Sequence, residues 1–427
     1  MAIGGEAGPK ASVRKPMAEP YGREGLPLEQ ARAEILGALT PLGVSETLPL
    51  PQALGRTLAV AVQAAAAVPG FRASIMDGYA IAGDGQPQPG QQWRLVGTAA
   101  AGAPHGGALA AGEAVRILTG AVVPQGSGRV LPQELVAVEG QRLELVRSCG
   151  ANAWIRQPTE EAEPGQVLVA AGQRLGVADL ARLASCGVQT LTLTRRPRLG
   201  LLISGDELLP PGEERGLGQI WESNSTLLSA LLEQLGYGVA IQRVVVDQPE
   251  PLRQALRELA AACDVVVSTG GVSAGDSDWI RPLVAELGEV RFWKLFLKPG
   301  RPFAWGQVAG VPFFGLPGNP VAAAITALQL LWPALQRLEG AELQLLPRLQ
   351  VQLHTPLRRG AGRPELARAR LVVAADGALQ ARVEGSQASS RIGSLQGADL
   401  LLEIPAERGD LEAGTALWAQ LLRLPIF

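Results

Sequence analysis

The stretch LGLLISGDEL, residues 199–208, joins a short apolar run to a loop of small and acidic residues. A run of this length between turn signals is typical of a buried strand. Strand-like and helical segments alternate from this point onward. The predicted elements are strand 199–204, helix 224–235, strand 239–246, helix 251–263, strand 265–268, strands 290–297 and 312–315, and helix 321–338. This alternation predicts a doubly wound α/β domain.

The segments on either side of this region have other patterns. Residues 1–24 lack periodicity and predict a disordered tail. Helical spacing covers residues 28–39, and short alternating runs with Gly-rich loops then predict a small β-rich module, followed by a short helix near residues 179–185. Alternating runs return in residues 341–427 and predict a β-barrel or a β-sandwich.

Composition excludes several classes of protein. A chain of 427 residues is too long for one core, and a net charge of -2 offers no basic surface for nucleic acid. The three cysteines, Cys149, Cys186 and Cys263, have neither disulfide-framework nor zinc-site spacing. No segment resembles a signal peptide or a membrane span, so we expect a soluble, cytoplasmic protein.

Histidine and lysine are scarce. The two histidines leave little room for His-based metal sites. Only four lysines stand against 34 arginines, and none follows a glycine as a Walker A loop requires. Lys294 and Lys298 are the only lysines after residue 15. Unless this spacing is chance, it indicates compact ammonium groups that a guanidinium cannot replace.

Polar loops follow four of the predicted strands. They are 204–208, 247–248, 268–278 and 316–320. Because ligands of open α/β sheets bind beyond the carboxyl ends of the strands, we expect these loops to face one crevice. The sequence TGGVSAG in the third loop allows backbone amides to approach an anion, although a simple tight turn would have the same composition.

Carboxylates at three strand ends predict a site for one hard cation. Glu207, Asp247 and Asp278 would supply its oxygen ligands, as a magnesium-assisted phosphate reaction requires. Alternate positions along strand 290–297 and just past its end would direct Lys294 and Lys298 into the same crevice. The alternatives are acidic helix caps for the carboxylates and a salt bridge with Glu207 or Asp278 for the lysines.

A serine hydrolase is a further alternative. Residues 271–275, GVSAG, match the G-x-S-x-G nucleophile elbow, with Ser273 as the nucleophile. The only histidine downstream, His354, lies in the separate C-terminal region. A five-residue motif is often a false positive, and the preceding Thr-Gly-Gly fits phosphate binding better.

These residues belong to a larger set of ordered motifs. The set is SIMDGYA (74–80), RILTGA (116–121), SGDEL (204–208), GQI (218–220), STGGVSAGDSD (268–278), FWK (292–294), KPGRP (298–302) and LPGNP (316–320). In this order they resemble the molybdopterin molybdotransferases, the MoeA and gephyrin E-domain family. The resemblance covers nearly the whole chain after residue 24.

The resemblance implies an architecture. It comprises an elongated segment (25–47 and 153–195), an inserted β-rich domain (48–152), a doubly wound, MogA-like α/β molybdopterin-binding domain (196–340) and a C-terminal β-barrel (341–427). It also implies a magnesium-dependent transferase that inserts molybdenum from molybdate into adenylylated molybdopterin and releases AMP. A non-catalytic scaffold or pterin carrier of the same family stays open. The implied partners are a second copy of the chain, the molybdopterin adenylyltransferase and molybdoenzymes.

The resemblance also assigns functional residues by position. The catalytic set is Asp77, Thr119, Glu207, Asp247, Asp278, Lys294 and Lys298. The set expected to bind the pterin and molybdate is Ser204, Gly205, Thr269, Gly270, Gly271, Ser273, Gly275, Arg301, Pro317, Gly318, Asn319, Pro320, Arg368 and Ser389. The sequence departs from the family pattern at Gly128, Glu161, Arg301 and Ala322.

Overall fold

The computed structural model describes residues 25–271 and 279–422. They form two compact units: residues 45–193 are the β-rich unit, and the described residues before 45 and after 193 are the α/β-barrel unit. The α/β-barrel unit begins with helix α1 (Leu28–Ala38), as predicted to within one residue. The elongated segment and inserted domain expected within these units stay a prediction.

The β-rich unit contains one main sheet and three two-stranded ribbons. Its elements are β1 (Ser45–Pro49), β2 (Val62–Gln63), β3 (Ala73–Ser74), β4 (Gly78–Ala82), β5 (Gln92–Ala99), β6 (Glu113–Ile117), β7 (Ser127–Pro132), β8 (Val136–Glu139), β9 (Arg142–Leu145), β10 (Ile155–Arg156), β11 (Val167–Val169), α2 (Val177–Ser185) and β12 (Thr190–Thr194). The sheet order is β7-β4-β6-β5-β9-β8. The prediction of a β-rich module is therefore confirmed.

The second sheet is the one that carries the polar loops. The elements are β13 (Leu199–Ser204), β14 (Leu208–Leu209), β15 (Ile220–Trp221), α3 (Asn224–Gln234), β16 (Val239–Val245), α4 (Pro249–Ala262), β17 (Val265–Thr269), α5 (Ile280–Leu287), β18 (Gly288–Trp293), β19 (Ala304–Val308) and β20 (Val311–Leu316). The sheet order is β16-β13-β17-β20-β19-β18. The first four strands are parallel, and β19 runs antiparallel to both of its neighbours.

Helices cover both faces of this sheet. Along β13, Leu201 and Ile203 pack in a core with α1, α3 and the helical run after β20, whereas Leu202 packs with α4 and α5. Successive side chains of a strand point to opposite faces, so β13 is apolar on both faces up to its last residue, Ser204. The doubly wound arrangement predicted from the sequence is confirmed.

One long helical run follows β20. It consists of α6 (Pro320–Thr326), a π-helical turn (Ala327–Leu331) and α7 (Trp332–Glu339). Pro333 follows the π turn closely and lacks the amide proton that a regular helix uses. By length and composition alone the run is long enough and apolar enough to cross a membrane, contrary to our expectation. Because 89% of its most apolar window is buried inside the fold, this is weak evidence for a span.

The chain ends in a closed barrel. Its strands are β21 (Arg348–Leu353), β22 (Glu365–Val373), β23 (Leu379–Arg382), β24 (Leu400–Ile404) and β25 (Ala416–Leu421). They close in the order β21-β23-β22-β24-β25. Of the two architectures expected for this region, the barrel is the one observed.

An ion pair lies at the amino end of β17. Arg195 donates two hydrogen bonds to the Asp264 carboxylate, at 2.8 and 3.0 Å, and the Arg198 amide donates a third at 2.7 Å. Burial raises the pKa of Asp264, but these hydrogen bonds outweigh that effect and hold the pKa below its usual value of 3.8. A lowered pKa means that the carboxylate stabilises the fold above its usual pKa and loses this effect as the pH falls.

We therefore expect Asp264→Asn to lower the free energy of unfolding at pH 7 by about 1 to 3 kcal/mol. The difference from the parent protein should shrink as the pH falls toward 3. Urea unfolding across this pH range measures both effects, and Glu407→Gln at an exposed position is the charge control. A deficit that stays constant with pH would contradict the argument.

Candidate active site

A cleft of about 500 Å³ lies in the α/β-barrel unit at the carboxyl ends of β13, β17 and β20. Ten predicted residues line it: Ser204, Glu207, Thr269, Gly270, Gly271, Pro317, Gly318, Asn319, Pro320 and Ser389. The lining also includes Leu208, Ile220, Trp221, Glu222, Ser223, Asn224, Gly300, Pro302, Ala322, Ser390 and Ile392. Three of the four predicted loops therefore share one crevice, which the barrel domain's Ser389 also reaches.

Two glycines shape the floor of the cleft. Gly270 has φ +84°, and a Cβ there would lie 2.4 Å from the carbonyl oxygen of Ser204. Gly271 has φ +62°, and its Cβ would lie 2.6 Å from Cγ1 of Ile280. Both backbones approach their neighbours more closely than a side chain permits. Gly205, predicted with them, follows Ser204 but does not line the cleft.

Asn224 connects two of the loops, and the sequence analysis missed it. Its Nδ2 donates to the carbonyl of Gly318 at 2.7 Å and to Oγ1 of Thr269 at 3.3 Å. Asn224 begins the predicted helix 224–235, where a capping role is expected, but the carboxylate of Glu222 accepts the Ser225 amide at 2.9 Å instead. An asparagine at the start of a helix is a common cap, so its pattern did not distinguish the two roles.

Two buried polar atoms beside this connection have no hydrogen-bond partner among the described residues. They are Oγ of Ser204 and Oδ1 of Asn224, on side chains that are 6% and 8% exposed. Leaving such groups unpaired costs free energy. Both residues line the cleft, so a polar ligand there would satisfy them.

Carboxylates lie together at the end of β16. Oδ1 of Asp206 accepts the Asp247 amide at 3.0 Å. Burial raises the pKa of Asp247, and the charges of Asp206 and Glu207 raise it further. Among the described residues, the buried Oδ1 of Asp247 has no hydrogen-bond partner.

The predicted three-carboxylate metal site is not seen as such. Asp278 lies outside the described residues, as do Ser273 and Gly275. Across 25–271 and 279–422, no three His, Cys, Asp or Glu side chains are grouped to hold one ion. Glu207 and Asp247 are the two predicted ligands that the structure describes.

The structure places Lys294 and Lys298 differently from our expectation that both point from one strand into the crevice. Strand β18 ends at Trp293, and Lys294 has φ +78°, so Lys294 and Lys298 are not alternate positions of one strand. Nζ of Lys294 lies 4.1 Å from the centroid of the Trp293 ring. Nζ of Lys298 lies 3.0 Å from Oε1 of Glu365, a partner we had not considered.

Lys298 does not line the cleft. With Arg301, Arg359 and Arg363 it lines a second cavity of about 430 Å³ in the same unit. Gly300 and Pro302, on the same turn, line the cleft instead. The turn 298–302 therefore separates the cleft from a strongly basic cavity.

Arg368 is buried in the barrel at 2% exposure. Burial lowers the pKa of its guanidinium. Its Nε donates to Oγ of Ser394 at 3.1 Å, and its Nη2 donates to the Ala388 carbonyl at 3.3 Å. Nη1 has no hydrogen-bond partner in the described part of the chain. Arg368 borders a cavity of about 160 Å³ and does not line the cleft.

Asp77 and Thr119 lie together in the β-rich unit. The amide and the hydroxyl of Thr119 donate to Oδ1 of Asp77 at 2.7 and 2.8 Å. The amide hydrogen bond is the largest cause of a lowered pKa at Asp77, and the hydroxyl adds to it. The two motifs that carry these residues therefore meet as a hydrogen-bonded pair.

The alternative hydrolase would need His354. Its Nδ1 lies 2.8 Å from Oε1 of Gln380 in the barrel, and the residue does not line the cleft. The structure therefore gives His354 no role in the cleft.

Three family profiles match the chain in order. They are the MoeA N-terminal region, domains I and II (residues 26–187), a probable molybdopterin binding domain (200–337) and the MoeA C-terminal region, domain IV (350–422). The second match covers the sheet and the loops of the cleft, and the third covers the barrel. The MogA-like character expected for the central domain agrees with the second match.

Named relatives match over most of their length. The chain is 31% identical over 391 residues to a molybdopterin molybdenumtransferase of Haemophilus influenzae, and the alignment covers 91% of this chain and 96% of the relative. A molybdopterin molybdenumtransferase 2 of Mycobacterium tuberculosis is 30% identical, and that alignment covers 90% of this chain and 96% of the relative. A MoeA crystal structure from Pyrococcus horikoshii has a TM-score of 0.75 at 26% identity and covers 93% of this chain and 99% of that one. The chain therefore belongs to the MoeA family of molybdopterin molybdenumtransferases, transferases of molybdenum cofactor biosynthesis.

Proposed function

We propose that this protein catalyses the molybdenum-insertion step of cofactor biosynthesis. It takes adenylylated molybdopterin and molybdate, transfers molybdenum to the dithiolene and releases AMP. The observation that carries this proposal is the cleft, whose glycine-lined floor fits an anionic group and whose wall holds the Ser204 hydroxyl, a donor, and the Asn224 amide oxygen, an acceptor. Membership of the family supplies the substrate class.

The phosphates of the adenylylated substrate would lie on the glycine floor. Gly318 lies beside Gly270, since a Cβ on Gly318 would be 3.5 Å from the Gly270 Cα, an ordinary contact distance. Backbone amides are exposed to a ligand where successive loops carry no side chains, and such concavities favour anions. The hydroxyl of Ser204 and the amide of Asn224 would then fix the orientation of the substrate.

Mg²⁺ fits the carboxylates beside this floor. In proteins it is commonly bound by one or two carboxylates together with substrate phosphates. Glu207 and Asp247 would hold it, with the buried Oδ1 of Asp247 as an available ligand. When bound, Mg²⁺ would neutralise charge on the phosphoanhydride. Asp278, outside the described residues, completes the proposed set.

Lysine and arginine side chains of the chain would bind the oxyanions, molybdate and phosphate. Lys298 and Arg301 line the basic cavity next to the cleft, and Arg368 leaves one nitrogen of its guanidinium unpaired in the barrel. Molybdate and phosphate are compact dianions that such groups bind. We also assign Lys294, whose ammonium lies beside Trp293, to the cations that bind these oxyanions.

The proposal extends to the assembly. We infer a cytoplasmic homodimer in which the Asp77 and Thr119 pair serves the partner's cleft, as the family pattern implies. The molybdopterin adenylyltransferase would deliver the substrate, and molybdoenzymes would receive the product.

The decisive experiment measures AMP release from adenylylated molybdopterin with and without molybdate. We expect molybdate to stimulate release by at least about 10-fold, since cleavage of the anhydride accompanies insertion. A protein that binds the substrate but shows no molybdate-dependent release would be a carrier and would overturn the proposal.

Gly270→Ala should reduce molybdate-dependent AMP release about 100-fold. The new Cβ would overlap the Ser204 carbonyl and displace the loop by a fraction of an ångström or more, and misplacement on that scale has this cost. The control is Gly85→Ala, where a Cβ meets nothing within 4 Å. Retention of activity in Gly270→Ala would exclude this loop from the site.

Removing a proposed metal ligand should change the response to Mg²⁺. We expect Asp247→Asn to raise the Mg²⁺ concentration for half-maximal AMP release at least about 10-fold. Asp376→Asn, an exposed position in the barrel, is the matched control. If excess chelator leaves the parent protein fully active, Mg²⁺ has no part in the reaction.

A further inference from the structure

The ammonium of Lys298 is held by a buried carboxylate of the barrel. The Nζ of Lys298 lies 3.0 Å from Oε1 of Glu365. The lysine side chain is 45% exposed, whereas the glutamate side chain is only 4% exposed. One partner therefore belongs to the interior and the other to the surface of the basic cavity.

The backbone places the two residues side by side. The Lys298 amide donates to the Pro364 carbonyl at 2.9 Å, and the Leu366 amide donates to the Lys298 carbonyl at 2.8 Å. These hydrogen bonds flank Glu365 at the first residue of β22. The backbone hydrogen bonds between the turn 298–302 and the barrel thus bring the two charged groups together.

A second cation fixes the other carboxylate oxygen. The Nε of Arg359 lies 3.1 Å from Oε2 of Glu365, and the arginine side chain is 5% exposed. Arg359 also donates to the carbonyls of Arg363, at 2.9 Å, and Pro405, at 3.3 Å. Because Arg359 is held by several groups, it fixes the position of the Glu365 carboxylate.

Lys298 has Glu365 as its one ion-pair partner among the described residues, whereas Arg359 also donates to backbone carbonyls. An ammonium has three N–H groups, and a single carboxylate oxygen does not occupy all of them. The half-exposed side chain of Lys298 borders the cavity that Arg301 and Arg363 also line. The ion pair therefore orients an otherwise mobile four-carbon side chain and leaves its ammonium accessible to an oxyanion.

We propose that Glu365 is a positioning residue, which holds the Lys298 ammonium toward the basic cavity in the geometry that an oxyanion substrate requires. This inference rests on the proposed function for the identity of the oxyanion, which is either molybdate or a phosphate of the adenylylated substrate. Glu365 itself does not touch the substrate. A purely structural role, joining the turn to the barrel, is the competing explanation.

The first test does not depend on turnover. The chain has only four lysines, so trace labelling with an amine-reactive anhydride and mass spectrometry resolves each of them. We expect Glu365→Gln to raise the labelling rate of Lys298 severalfold and to leave Lys294 unchanged. Glu403→Gln is the matched control, because Glu403 pairs with Arg348 in the same barrel. Equal labelling of Lys298 in Glu365→Gln and the parent protein would overturn the inference.

The second test is kinetic. Glu365→Gln should raise the KM for one oxyanion substrate about 10- to 100-fold, as expected for loss of an oriented, charge-assisted hydrogen bond, with kcat changed by less than about threefold. The substrate whose KM rises, molybdate or adenylylated molybdopterin, identifies the oxyanion that Lys298 binds. Glu365→Asp, which keeps the charge, should recover part of the loss. An unchanged KM for both substrates contradicts the proposal.

A double-mutant cycle separates positioning from folding. If Glu365 acts only through Lys298, Glu365→Gln causes no further loss of activity in a Lys298→Gln background. Activity losses that add up in the double variant would mean a structural role for Glu365. A lower melting temperature in both single variants, without a selective change in Lys298 labelling, would mean the same. Absence of molybdate-dependent AMP release from the parent protein would refute the proposed function alone, because the labelling test stands independently of it.

Discussion

The loop after β17 passes over the end of β13 with no room for a side chain between them. The Gly270 backbone lies against the Ser204 carbonyl, where a Cβ would be 2.4 Å from the oxygen. The cleft depends on this contact, because it brings the polar ends of two central strands to one point. Strands covered on both faces have no other surface on which to present polar groups. The chemistry of the domain is therefore concentrated at this edge of the sheet.

The central part of the fold could be predicted from the sequence because burial leaves a strong pattern. Strands 199–204, 239–246 and 265–268 were predicted to within one residue. The first and third are buried, mainly apolar runs between turn signals, whereas the second lies at the sheet edge and is partly exposed. The antiparallel edge was harder to predict. Strand β19 was missed, although Ala309 and Gly310, at φ +49° and +80°, form a two-residue hairpin turn into β20. Alanine rarely adopts such a conformation, so the turn had no clear sequence signal.

The candidate site was predictable to the extent that it follows from strand order. Loops at the ends of neighbouring parallel strands must lie close together, and ten of the predicted residues do line the cleft. Side chains whose position depends on distant partners were not predictable. Asn224 bonds to residues 45 and 94 positions away. Lys298 pairs with Glu365, a barrel residue 67 positions further along the chain.

The chain's preference for arginine has a physical meaning in this context. Arg129 donates to the carbonyls of Gly150, Ala151 and Asn152, and Arg359 holds Glu365 together with several carbonyls. A rigid guanidinium with five donors suits such permanent clamps, because several of its donors meet fixed acceptors at the same time. An ammonium that is paired with one carboxylate and carried on a half-exposed side chain suits a ligand that must bind and leave. Lys298, one of the chain's few lysines, is therefore a cation that a protein carboxylate orients and that is still accessible to a ligand.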